Sequence, residues 1–205
     1  MRTKNDTRRQ AIIETASRLF LENGFERTSM SEIASQLGGS KGTLYNYFNC
    51  KEDLFGEVIA QLADVYMNDI LPPSIECENV EQALRAFGEK FLKKVCSQEF
   101  VTVNRNVYAE AGMSNIGRVF YERAPLKMLN RLATVLDHWM TEGQLRRADP
   151  FVAAQQLAAL LDAEVRLVVL LGVQSPSDPV DVAPIAARGL DAFLRIYTPP
   201  ESSPF

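Results

Sequence analysis

Histidine is nearly missing from this 205-residue chain, where His138 stands alone. The three cysteines, Cys50, Cys77 and Cys96, lie far apart. Neither a structural zinc site nor a disulfide framework has that spacing, so no metal and no other cofactor is expected. No run of about eighteen uninterrupted apolar residues could cross a bilayer. The longest apolar segment, Leu157–Gly172, is broken by Asp162, Glu164 and Arg166. Met1–Gln10 is polar and charged, unlike a signal peptide, and the expected location is the cytoplasm, away from any membrane. Period-two alternation is missing too, which argues against a β-sheet.

What the chain does have is helical periodicity almost throughout, with 46% hydrophobic and 23% charged residues, enough to bury a core. An all-α fold is expected. The first helix is read over Asp6–Asn23, with Ile12, Ile13, Ala16, Leu19 and Phe20 on its apolar stripe and Gly24 at its end. A second follows Ser29, whose spacing to Glu32 makes a capping box, and stops at Gly38-Gly39. A third, short helix runs from Ser40 to near Phe48, and a fourth from Lys51 to Leu71 is halted by Pro72-Pro73. Five more are expected at about 79–97, 99–111, 115–142, 150–172 and 180–197. Pro125 should kink or split the third of these five, and Asp149-Pro150 should open the fourth.

Net charge is −4, which by itself disfavours nucleic acid, but its distribution is uneven. Residues 1–50 hold seven lysines and arginines against five acids, and the remainder holds fifteen against twenty-one. A mildly basic head on an acidic body is compatible with DNA at one end.

Residues 29–48 fit a helix-turn-helix. Ala34 is small where two helix backbones approach, Gly38 tolerates the turn, and Ile33, Leu37 and Leu44 face the first helix. The longer pattern is more specific. Ala16, Leu19-Phe20, Gly24-Phe25, Thr28-Ser29, Ile33-Ala34, Gly38, Ser40-Lys41-Gly42-Thr43-Leu44-Tyr45, Tyr47-Phe48, Lys51-Glu52 and Leu54 resemble the tetracycline-repressor (TetR) family almost position by position. Gly39 departs from it, standing where that family commonly has an apolar residue. The stretch Tyr108–Leu161 is similar to one branch of the same family.

The resemblance implies an N-terminal three-helix DNA-binding domain over 1–50, a larger helical effector-binding and dimerisation domain over 51–198, and a flexible tail over 199–205. It implies a non-catalytic regulator, usually a repressor, that holds a palindromic operator as a homodimer. Half-sites would lie about 34–36 Å apart or somewhat more. Lys41 and Gly42 would read base edges, with Ser40, Thr43 and Asn46 as further contacts. Tyr45 would meet a thymine methyl or a phosphate, and Tyr47, Lys51 and Thr28 or Ser29 would clamp phosphates. Residues 150–172 and 180–197 are the expected dimer face. A small hydrophobic effector would sit among Phe87, Phe91, Arg105, Tyr108, Phe120, Tyr121, Met128 and Trp139 and release operator by preferring one head spacing.

Two other readings stay open at this point. Gly38-Gly39-Ser40-Lys41-Gly42 matches G-x-S-x-G, the nucleophile elbow of serine hydrolases, but lacks the strand that this elbow needs. A helical binding or assembly protein that no longer reads DNA is the second. Cys50, just ahead of a helix, raises the further hypothesis of a reactive, redox-sensing thiolate.

Overall fold

A computed structural model describes residues 4–70 and 79–199. Pro72-Pro73, Cys77 and the tail beyond Pro199 lie outside them. The described residues form helices and no strand: α1 (Lys4–Asn23), α2 (Met30–Gln36), α3 (Lys41–Tyr45), α4 (Lys51–Ile70), α5 (Val80–Val95), α6 (Gln98–Glu110), α7 (Ile116–Arg123), α8 (Pro125–Thr141), α9 (Pro150–Asp162), α10 (Arg166–Leu170) and α11 (Val182–Tyr197). None is long and apolar enough to cross a membrane.

Two of the expected long helices are each divided in two. The segment 115–142 breaks at Ala124 (φ −128°, ψ −74°), because Pro125 has no N–H to continue the ladder and instead opens α8. The segment 150–172 breaks after Asp162. There the Val165 N–H donates to the Asp162 carbonyl at 3.1 Å, a tighter turn than the α-helix, and the Arg166 guanidinium closes on the Asp162 carboxylate. Burial pushes the Asp162 carboxyl above its ordinary range, and the neighbouring Arg166 opposes that rise. Asp149 caps α9 as expected, accepting from the Phe151 and Val152 N–H groups at 2.9 and 3.1 Å.

The chain forms two compact units. One contains residues up to Val65 together with Thr102–Pro125, and the other contains Tyr66–Val101 and the residues from Leu126 onward. The first has its own core: Ile12, Ile13, Ala16 and Leu19 of α1, Ile33 of α2, Leu44 of α3, Leu54 and Val58 of α4, Val107 of α6 and Ile116 of α7. At its centre Phe20, Phe25 and Phe55 meet with ring centroids 5.2–5.7 Å apart. The two pairs that include Phe55 are edge-to-face, a contact that adds to simple burial.

In the second unit α5, α9 and α11 pack against one another. The contact is close because two glycines lie in it. A Cβ at Gly88 would stand 3.0 Å from Leu161 Cδ2, and one at Gly189 would stand 2.7 Å from the Leu160 carbonyl oxygen and 2.9 Å from Leu161 Cα. At the end of α11, Tyr197 stacks on Phe193 and donates its hydroxyl to Gln156 at 2.6 Å, while Arg146 lies over its ring. Since the atoms facing Gly189 are backbone and cannot swing aside, Gly189→Ala is expected to cost about 1–3 kcal/mol. Chemical denaturation followed by circular dichroism reads this as a lower midpoint, and an unchanged midpoint would contradict the packing described.

Candidate nucleic-acid interface

Three short-range rules build the surface. Gly24 ends α1 with φ +82° and Gly38 ends α2 with φ +64°, both in the region that favours glycine. Ser29 caps α2 in a full capping box, its Oγ accepting from the Glu32 N–H at 3.1 Å while the Glu32 carboxylate accepts from the Ser29 N–H at 3.5 Å. Ser40 caps α3 in the same way, accepting from the Thr43 N–H at 3.2 Å and lying 3.0 Å from the Thr43 hydroxyl. The turn between α2 and α3 is held by N–H groups of Gly38 and Gly39 donating to the Ser35 and Ala34 carbonyls. The space that an apolar side chain at position 39 would take is used by Arg8, whose guanidinium lies 2.8 Å from where a Cβ would stand.

Within α3 and the residues after it, Leu44 is fully buried and Phe48 nearly so. Ser40, Lys41, Gly42, Tyr45 and Asn46 are exposed, and Thr43 and Tyr47 half-buried. Lys41 has no ion-pair partner among the described residues, and its ammonium lies 5.8 Å from the Tyr45 ring centroid. A Cβ on Gly42 would meet only Ser40 Oγ, at an ordinary 3.7 Å, so the fold itself does not require glycine there.

Two residues expected to hold phosphates are used inside the protein. Thr28 has no exposed surface, and its hydroxyl donates to the Gly24 carbonyl at 2.8 Å, with the Leu19 carbonyl at 3.2 Å. Lys51 turns its ammonium onto the Phe25 and Glu26 carbonyls at 2.9 and 3.2 Å, 4.2 Å from the Phe25 ring centroid. Both satisfy the end of α1 and the turn after it, so in this structure their polar groups are engaged within the protein. The same turn is held from α6, where Glu110 accepts from the Glu26 N–H at 3.1 Å; its second oxygen is buried without a partner. Sequence reasoning passed over Arg8 and Glu110 in this role because their partners are distant along the chain.

Ser40 does not stand on a nucleophile elbow, because no strand precedes it among the described residues and its hydroxyl is engaged as a cap. His138 is exposed on α8. The Cys50 thiol is not activated. Burial and the nearby Glu52 and Asp53 push it above the usual thiol range, outweighing the N–H that Asp53 donates to it. No three metal-binding side chains are grouped among the described residues.

The residues expected around an effector are divided. Phe87, Phe91 and Trp139 are buried, and Met128 partly so, in the core of the second unit. Arg105, Tyr108 and Tyr121 are exposed and Phe120 is partly buried in the first. The Nε1 of Trp139 is sealed from solvent with no acceptor among the described residues. Leaving such a donor unpaired costs about 1–3 kcal/mol. Two hollows lie in the first unit, a cavity of about 20 Å³ bordered by Phe55 and Asn106 and a groove of about 470 Å³ along α1 and α4. Ser17, Leu21, Val58 and Leu62 border both, and none of the eight expected effector residues borders either.

Comparison with known proteins agrees with this architecture. Residues 12–58 match the model of bacterial regulatory proteins of the tetR family, and residues 82–199 match that of the C-terminal domain of AefR-like transcriptional repressors. The flavonoid-responsive regulator FrrA is 33% identical with a TM-score of 0.80, over 94% of this chain and 98% of its own. A TetR-family transcriptional regulator from Mesorhizobium loti MAFF303099 is 26% identical with a TM-score of 0.82, over 97% and 100%. In sequence, the uncharacterized HTH-type transcriptional regulator YhgD of Bacillus subtilis strain 168 is 26% identical over 186 residues, 87% of this chain and 91% of its own. The chain belongs to the TetR family of bacterial transcriptional regulators, whose members are ligand-responsive, non-catalytic DNA-binding proteins.

Proposed function

We propose that this regulator is a repressor that grips a palindromic operator as a homodimer and lets go when a small hydrophobic effector binds. The observation that carries the DNA half is the α3 surface. Lys41, Tyr45 and Asn46 are exposed on it, and Lys41 is uncommitted to any carboxylate among the described residues. Gly42 lacks a side chain that the fold would tolerate, which supports close approach of a partner at that point. Lys41 suits guanine acceptors and Asn46 suits adenine in a major groove. Ser29, Ser40, Thr43, Tyr45 and Tyr47 supply hydroxyls for further contacts, chiefly to phosphates.

One five-residue helix reads too few bases for useful specificity, so a second copy is needed. The segments proposed for the dimer face, 150–172 and 180–197, retain exposed apolar side chains after the unit has packed its own core. Leu167 on α10 is 65% and Leu171, at the C-cap of that helix, 70% exposed, and Val152 and Ile196 are also exposed. Such groups favour a protein partner over water. Similarity to a flavonoid-responsive regulator supports a largely aromatic effector that acts in the cytoplasm.

The repressor reading is tested with fragments of the source genome selected for binding. The selected site should be a near-palindrome with half-sites about 34–36 Å apart or somewhat more, and affinity should fall steeply with salt. Binding that ignores both salt and symmetry would refute it.

Gly42→Ala separates folding from DNA reading. It should leave stability unchanged or raise it by up to about 1 kcal/mol, as alanine does in a helix, yet weaken operator binding. Lys41→Ala should lower affinity by about 1–3 kcal/mol, or roughly five- to 150-fold, with an unaltered melting curve. Fluorescence anisotropy on labelled operator measures both, and wild-type affinity in either variant would contradict the assigned roles. Placing a charge at the dimer face, Leu167→Glu, is expected to shift sedimentation from dimer to monomer and abolish palindrome binding together. A dimer of normal stability would move the interface elsewhere.

A further inference from the structure

Gly39 is not called for by its own backbone. The described glycines with positive φ are Gly24, Gly38, Gly143 and Gly172, so position 39 adopts a conformation open to any L residue. Nor does packing of the turn on a helix require it. Apart from its chain neighbours, the one described atom within 4 Å of a Cβ at this position is Nη2 of Arg8, at 2.8 Å. What the absent side chain provides is room for the Arg8 guanidinium against the turn between α2 and α3. An arginine in such a place would ordinarily bond the last carbonyls of the preceding helix. Arg8 is half-buried, yet it makes no such bond and no ion pair among the described residues. Other cations of the same unit are committed: Arg9 to Glu57 at 3.1 Å and to the Phe48 ring, Arg18 to Glu22, Arg27 to the Asn23 carbonyl and Lys51 to two carbonyls. Arg8 and Lys41 are not. Lys41 comes two residues after Gly39, so their Cα atoms stand no more than about 7 Å apart. Two cations without counterions thus lie close together where α3 begins, and a half-buried charge of this kind favours an incoming anion.

We propose that Arg8 of α1 is a clamp on the DNA backbone: its guanidinium takes a phosphodiester beside the first turn of α3, and Gly39 is the opening that lets it lie there. This rests on the reading of α3 as the operator-binding helix, and it adds a contact from outside the helix-turn-helix. The partner is a phosphate and not a base edge because the guanidinium lies over the turn ahead of α3, not on the helix that would enter the groove. A planar fork of N–H donors matches two phosphate oxygens at once, which a lysine in the same place does not do. The contact carries no sequence information of its own; it sets how α3 is seated on the duplex.

The test is a salt series of binding curves for the full-length protein, on a genome-selected operator fragment and on a scrambled duplex of equal length. Each phosphate contact adds about 0.9 to the slope of log affinity against log salt, so Arg8→Ala in both copies of a dimer should make that slope shallower by about 1.8. Referred to 1 M salt, the same relation gives an affinity loss of about thirtyfold at about 0.15 M. The slope should fall on both duplexes and the melting temperature should stay at the wild-type value. Arg8→Lys keeps the charge and should keep the slope. Gly39→Val opposes only the far end of a flexible side chain, so it should push Arg8 aside and reproduce the binding loss of Arg8→Ala without lowering stability. Added to Arg8→Ala it should cost no further affinity, which a double-mutant cycle reads as full coupling. An unchanged slope in Arg8→Ala, whatever happens to its melting temperature, overturns the clamp. A loss confined to the operator sequence, or wild-type binding by Gly39→Val, overturns it equally, and in each case the repressor reading stands. Salt-independent binding by the wild-type chain would overturn both.

Discussion

Burial of Leu44 is the constraint from which the DNA-facing surface follows. A helix of five residues does not hold itself together in water, since nucleation is unfavourable and too few hydrogen bonds follow. Its existence and its orientation come from Leu44, fully buried in the core of the first unit, with Phe48 beside it in the next turn. Once those two side chains are inside, helical geometry leaves Lys41, Gly42, Tyr45 and Asn46 on the other side. The apolar core thus decides which polar groups meet a partner.

The turn between α1 and α2 is held with equal care, by residues whose chemistry first reads as DNA-binding. Thr28 and Lys51 both carry groups that suit phosphate, yet both pair with backbone carbonyls near the end of α1. Those carbonyls have no helical partner, and leaving them unsatisfied near the core would be costly. Glu110 of α6 completes the arrangement by accepting the Glu26 N–H. The DNA-reading helices accordingly share one compact unit with α7 and the later part of α6, far downstream in sequence. α4 and α6 each contribute residues to both units.

In the second unit, Gly88, Gly189 and Ala186 bring α5, α9 and α11 close together, so the inner faces of α9 and α11 serve their own chain. Their breadth of apolar surface, visible in the sequence, is therefore partly internal core. What stays exposed on α9, α10 with its C-cap, and α11 is a smaller set led by Val152, Leu167, Leu171 and Ile196. Trp139 lies in the same core, and its N–H has no acceptor among the described residues.

Local rules were legible from residue order because they act over a few positions. The capping box at Ser29 and Glu32, the glycine stops at Gly24 and Gly38, the Asp149-Pro150 start and the break at Pro125 all appear where short-range chemistry puts them. The helix-turn-helix and its family followed from the same kind of information. The break after Asp162 was not visible, because no proline or glycine marks the tightened turn in which the Val165 N–H bonds the Asp162 carbonyl. The internal partners of Thr28 and Lys51 were not legible, since residue type says what a side chain can bond and not which partner lies within reach. By itself, then, the sequence determined an all-helical regulator with its reading helix after Ser40. Tertiary structure alone decided which polar groups face outward and which are spent on carbonyls inside, because that choice depends on contacts between residues far apart in the chain.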